Sequence, residues 1–212
     1  MIERIIWDKD GVIFDAEPVY CGVVRTVLAR HGIEISDADY YSHWTRNGGN
    51  TIGFLENRGI VIDVGAFRRE KTELLRTRLM EKVPIINGAL DALERFVEYS
   101  GALVTSSGRP ETDLMLDLSD FRRYFRHVVT VEDVIYSKPH PAGFLLASQR
   151  LGISPDRLLV IEDAEKGVVA AERAGMKCIA IPNQYTADND FSLADVVLGD
   201  IGELTLELVA TL

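Results

Sequence analysis

The stretch ERIIWDKDGVIFDAEP, residues 3–18, decides the fold. Arg4–Trp7 is a short apolar run that stops at once in Asp and Gly, the pattern of a buried strand running into a loop. Three aspartates, Asp8, Asp10 and Asp15, crowd the end of that run. Like charges so close repel, and one of them normally has its pKa raised. Such a cluster needs a compensating partner.

Working outward, the periodicity turns helical from about Ala16 to Arg30, where Val19, Val23, Val27 and Leu28 share a face. Residues 36–82 contain no strand-like run bounded by turns. YYSHWTRNGGNTIGFLENRG (40–59) reads as helix, glycine loop, helix, and AFRREKTELLRTRLMEK (66–82) as a charged amphipathic helix. From residue 84 apolar strands alternate with helices: ALDALERFVEYSG as a helix closed by Gly101, ALVTSSG as a strand, RHVVTVED as a strand, and then AGFLLASQRLG, RLLVIED, KGVVAAERAG, KCIAI and ADVVL. Strands alternating with helices of roughly 10–15 residues make βαβ units and a parallel sheet. The expected fold is α/β, a doubly wound parallel-sheet, Rossmann-like core of residues 1–15 and 84–212. A small all-helical domain, residues 16–83, is inserted just after the aspartate cluster, which would place it above the cluster.

Composition narrows the function. The 212 residues are 47% hydrophobic, enough for a proper core, and the formal net charge is −10. An acidic chain with a pI near 4.9 lacks the basic footprint of a nucleic-acid binder. No apolar stretch approaches the roughly 20 residues of a membrane helix, and MIERIIWD does not read as a secretory signal. Cys21 and Cys178 show neither metal spacing nor a disulfide framework, so two free thiols in the cytosol are expected.

In doubly wound sheets ligands bind beyond the carboxyl ends of the strands. The residues there are Asp8 and Asp10; Thr105, Ser106 and Ser107; Lys138 in VIYSKPHP; and Glu162 with Asp163. Hard oxygen donors suit Mg²⁺, which takes one or two carboxylates with water and substrate phosphate. A cation would also keep Asp8 ionised. Lys138, Thr105 and Ser106 would hold phosphoryl oxygens, and a carboxylate can serve as nucleophile.

At these residues the sequence resembles the haloacid dehalogenase superfamily, in its phosphatase and phosphoglucomutase-like branch. DKDGVIFD, VTSSGRP, YSKPHP and VIEDAEKG stand in the family's order, and the insertion resembles its small helical cap. The resemblance implies a hydrolase acting on a small phosphorylated metabolite through an aspartyl-phosphate. Asp8 would be the nucleophile and Asp10 the general acid and base. Mg²⁺ would be held by Asp8, the Asp10 carbonyl and Asp163, with Glu162 acting through water. Thr105 and Lys138 would bind the phosphoryl group. Arg46 and Asn47, in the glycine loop of the insertion, are expected to select the leaving group. The family's sugar-phosphate mutases commonly carry a His near position 20, where this chain has Tyr20, which favours a phosphatase over a mutase or a non-catalytic ligand-binding protein.

Ala16 and Ala164 stand where the family commonly has hydroxyl residues. Lys9 stands where an apolar residue is frequent, and strand alternation points its side chain away from those of Asp8 and Asp10. Asp15 is expected to cap the next helix or brace the loop. His140 reads as a loop residue near a helix start. Gly108 and Arg109 read as a turn. The sequence does not choose between a monomer and a small homo-oligomer.

Overall fold

Arg4–Trp7 form β1, and Ile5, Ile6 and Trp7 are wholly buried. Each such side chain contributes roughly 1.5–3 kcal/mol on leaving water. The structure is a computed structural model that describes residues 1–46 and 51–212. The chain separates into two compact units, Met1–Asp15 with Pro84–Leu212, and Ala16–Val83.

The second unit is helical among its described residues. Its helices are α1 (Glu17–Arg30), α2 (Asp37–Tyr40), a π-helical turn (Tyr41–Arg46), α3 (Thr51–Glu56) and α4 (Val64–Glu81). Cys21, Val24, Val27 and Leu28 of α1 bury against Tyr40, Phe54, Leu55 and Phe67. The N-cap of α1 is Ala16, with no side-chain cap and Pro18 in its first turn. Asp15 is therefore not a helix cap. It braces the crossing through its backbone N–H, which donates to the Pro84 carbonyl at 2.8 Å.

The first unit continues with α5 (Ala89–Arg95), β2 (Ser100–Val104), α6 (Arg109–Leu118), β3 (His127–Val129), α7 (Ala142–Leu151), β4 (Leu158–Glu162), α8 (Glu165–Arg173), β5 (Lys177–Ala180), β6 (Val196–Val197) and α9 (Leu206–Ala210). The strands pair in parallel in the order β3-β2-β1-β4-β5-β6. That order puts the topological switch between β1 and β4, so the ligand crevice lies beyond their carboxyl ends. One face of the sheet packs Ile6, Val104, Val129, Leu158 and Val160 against Phe144 and Ala147 of α7 and Val168 and Ala171 of α8. Both faces being covered accounts for strands that are apolar nearly throughout.

Gly101 differs from its expected role. It does not close α5, which ends at Arg95, but lies inside β2. The β1–β2 register shifts between Ile5 and Ile6, leaving Gly101 as the extra residue. A Cβ there would stand 3.0 Å from Arg4 Cβ and 3.2 Å from the Ile5 carbonyl oxygen. A bulge under a close backbone approach selects glycine.

Candidate active site

The loop after β1 is a tight turn. The Lys9 carbonyl accepts from the N–H groups of Ile13 and Phe14, both at 3.0 Å, and Gly11 N–H donates to the Phe14 carbonyl at 2.9 Å. Gly11 has φ +85°, and a Cβ there would fall 2.0 Å from Asp163 Oδ2. Only glycine lets the Asp163 carboxylate come this close to the turn. Asp8 N–H donates to the Ile161 carbonyl at 2.9 Å, which ties the end of β1 to β4.

Lys138 organises the centre. Its Nζ donates to Asp8 Oδ1 at 2.5 Å, to Glu162 Oε1 at 2.6 Å and to the Val104 carbonyl at 2.9 Å. Burial works against its charge, but Asp8 and Glu162 outweigh burial and raise its pKa. Glu162 Oε2 accepts from the Asp163 and Ala164 N–H groups at 2.9 and 3.1 Å. Asp163 Oδ2 accepts from Asn183 Nδ2 at 2.8 Å. Burial pushes Asp8 up to about 7, repulsion from Glu162 and Asp10 adds to this, and Lys138 opposes it. Burial, with Glu162 and Asp8 beside it, raises Asp163 well above the carboxylate range. Lys166 and Lys138 offset this only in part.

The Asp10 side chain is one quarter exposed. Its Oδ2 accepts from Ser107 Oγ at 2.6 Å and from Thr105 Oγ1 at 3.4 Å, while Ser107 N–H donates to Thr105 Oγ1 at 3.0 Å. Ser106 Oγ is buried without a hydrogen-bond partner. An orphaned hydroxyl at this depth leaves hydrogen-bonding capacity for a ligand. A cleft of about 400 Å³ flanks the Gly11 turn, lined in part by Asp15, Asn87, Asn183 and Tyr185, but not by Asp8, Asp10, Thr105 or Lys138.

The structure thus brings Asp8, Asp10, Thr105, Ser106, Lys138, Glu162 and Asp163 to the carboxyl ends of the strands. Among the described residues no three His, Cys, Asp or Glu side chains form a metal cluster. Glu162 engages both oxygens with Lys138 and backbone N–H groups, so its contacts serve Lys138 and the β4–α8 turn. Asp8 and Asp163 remain as carboxylates for a cation.

The expectation for Lys9 is corrected. Its side chain is wholly buried, and Nζ lies 3.2 Å from Asp10 Oδ1. Alternation ends with β1 at Trp7, and the turn that follows lets the long side chain double back. Arg109 opens α6 and is tied to Asp133, and its Nη2 also donates to the Val128 carbonyl at 3.2 Å. His140 Nδ1 accepts from Ala142 N–H at 3.2 Å at the start of α7, a local loop role. The Arg46 side chain and Asn47 lie outside the described residues. Sequence reasoning missed the roles of Ser107 and Asn183. Ser107 was signalled only as the third hydroxyl of a run, and Asn183, distant in sequence, carried no signal.

Known proteins resemble this chain in sequence and in fold. A family model of haloacid dehalogenase-like hydrolases matches residues 5–181. Fructose-1-phosphate phosphatase YqaB of Escherichia coli (strain K12) is 32% identical over 192 residues, covering 85% of this chain and 98% of that protein. The phosphorylated carbohydrates phosphatase of Thermotoga maritima is 30% identical over 190 residues, 84% of each chain. The crystal structure of CbbY from Rhodobacter sphaeroides in complex with phosphate has a TM-score of 0.85 at 24% identity, over 96% of each chain, and speaks for the fold.

Proposed function

The chain belongs to the haloacid dehalogenase-like hydrolase family and is a phosphatase, and on that premise we propose that it hydrolyses a small phosphorylated metabolite through an aspartyl-phosphate on Asp8. The observation that carries this reading is the pairing of Asp8 with the buried Lys138, together with an Asp10 held by hydroxyl donors. A nucleophile and an acid–base group then stand two residues apart at the end of β1. The names of the relatives make sugar phosphates the first compounds to test.

The residues fit a divalent cation. Asp163 reaches the turn only because Gly11 lacks a Cβ, and burial and mutual repulsion push Asp8 and Asp163 up further than Lys138 and Lys166 pull them down. Two carboxylates and a backbone carbonyl are the hard donors Mg²⁺ takes, with water and substrate completing its shell. Asp8, Asp163 and the Asp10 carbonyl would hold it. Bound there, Mg²⁺ would supply charge neutralisation for the carboxylates and for the phosphoryl oxygens.

The protein's own groups then account for two steps. In the first, an Asp8 carboxylate oxygen attacks phosphorus, the bond from phosphorus to the ester oxygen breaks, and Asp10 gives its proton to that leaving oxygen. In the second, Asp10 takes a proton from water, whose oxygen attacks phosphorus; the aspartyl–phosphorus bond breaks and restores Asp8. Lys138 and the hydroxyl and backbone N–H groups of residues 105–107 balance the charge on the transferring group, where preorganised donors matter most.

The test is phosphate release from a panel of sugar, sugar-alcohol and small acid phosphates, in Mg²⁺ and in EDTA. Wild type should release phosphate only with metal, and Asp8→Asn should lose about 10³-fold or more. Turnover that survives in Asp8→Asn would overturn the covalent route. Release that appears only when a bisphosphorylated activator is added would mark a mutase instead.

A further inference from the structure

Lys9 stands between the two aspartates, and its side chain has no exposure to water. Burying an ammonium group costs several kcal/mol unless it is paired. An unbranched apolar residue would fill the same space without that penalty, so packing alone does not account for a lysine here. Its Nζ lies 3.2 Å from Asp10 Oδ1 and 3.7 Å from the sulfur of Met115, a buried residue of α6. The second Asp10 oxygen accepts from Ser107 Oγ at 2.6 Å. The carboxylate is therefore held on both oxygens, with a quarter of its side chain left open.

We propose that Lys9 is a positioning residue for the acid–base step, holding the Asp10 carboxyl group in the orientation that meets the leaving oxygen. This rests on the reading of Asp10 as the proton donor. Lys9 touches no substrate; it acts through Asp10. Its contribution should appear where proton delivery matters and vanish where it does not. An alkyl phosphate needs its leaving alkoxide protonated, whereas p-nitrophenolate departs as a stable anion.

The experiment compares kcat/KM for p-nitrophenyl phosphate and for the primary alkyl phosphate that wild type hydrolyses fastest, in Lys9→Met, Lys9→Gln and Asp10→Asn. Lys9→Met should lose roughly 30- to 100-fold on the alkyl ester, part of what acid–base catalysis supplies, and at most a few-fold on the aryl ester. Lys9→Gln, which keeps a donor for Asp10, should recover most of the alkyl activity. Asp10→Asn should show the same selectivity with a larger loss. A crystal structure of Lys9→Met should show the Asp10 carboxylate turned away from Ser107. Equal losses on both esters in a folded Lys9→Met, or no loss, would overturn the proposal, and if that variant does not fold, Lys9→Ala takes its place, an alkyl-selective loss supporting the proposal and equal losses or none overturning it. Asp10→Asn without ester selectivity would instead overturn the role of Asp10, and a wild type that hydrolyses neither ester would overturn the phosphatase reading.

Discussion

Two clusters of charge lie in the same α/β unit and solve opposite problems. At the end of β3, Asp133 pairs with Arg109 and Arg150, and both oxygens of Glu132 accept from Arg109 N–H at the start of α6, at 3.1 and 3.0 Å. There the signs balance. Although burial raises the Asp133 pKa, N–H donation from Thr130 and the two guanidinium groups hold it down at about 2. At the ends of β1 and β4, four carboxylates face three ammonium groups, those of Lys9, Lys138 and Lys166, and burial with mutual repulsion pushes Asp8 and Asp163 up instead. The first cluster is complete as it stands and serves stability. The second is left with an excess of negative charge, which fits the proposed cation and phosphorylated substrate.

Lys138→Met should break this contrast most severely. It leaves Asp8 and Glu162 buried without their shared cation, and removing one partner of a buried pair costs about 3–5 kcal/mol. In the proposed mechanism it would also remove a donor from the transferring phosphoryl group, so kcat should fall about 10²- to 10³-fold. Urea unfolding and phosphate release on one preparation measure both. A variant that loses activity at unchanged stability would show that Lys138 is not the structural counter-charge described here.

A smaller effect separates the clusters by pH. The Asp8 pKa is about 7 in the folded protein, against an ordinary value of 3.8. The folded state therefore binds more protons between these values, and the stability this group contributes is full below pH 3.8 and lost as pH rises through about 7. Metal-free wild type should lose unfolding free energy across that window, and Asp8→Asn should flatten the decline. Parallel profiles in EDTA for the two proteins would contradict the assignment. Because Mg²⁺ would favour the ionised form, adding it near pH 8 should restore stability to wild type by mass action.

Much of this was legible in the sequence, for physical reasons that differ by residue. The strands were legible because a sheet covered on both faces demands unbroken apolar runs, as in Leu158–Ile161. Asp8 and Asp163 stood out as candidates because charged residues at the ends of such runs have no packing role, whereas Lys138 lies in the loop after β3 and stood out only by its place among the four motifs. Lys9 was misread because the period-two rule was carried one turn past the end of β1. Gly101 was misread because a glycine after a helix and a glycine at a bulge look alike until the partner strand is known. The Asn183–Asp163 contact joins residues twenty apart, and no local pattern encodes it.

Asp133→Asn should have the smallest effect and tests the other half of the contrast. Arg109 and Arg150 are about one third exposed, so losing the shared carboxylate returns them to water and does not strand them in the core. The loss at neutral pH should be about 1 kcal/mol, the upper range for such pairs. The Asp133 pKa is depressed from 3.8 to about 2, so its contribution is present above pH 3.8 and lost as pH falls toward 2. The variant and wild type should therefore converge in stability at low pH, the reverse of the Asp8 case. Activity should stay within about two-fold, because Asp133 lies outside the set that includes Asp8, Asp10 and Lys138 and most surface substitutions are near neutral. Unfolding midpoints from pH 2 to 7, with kcat/KM at neutral pH, measure both. A large fall in activity would mean that the loop from Thr130 to Lys138 transmits the arginine cluster to the site, and the two regions would then have to be treated as one.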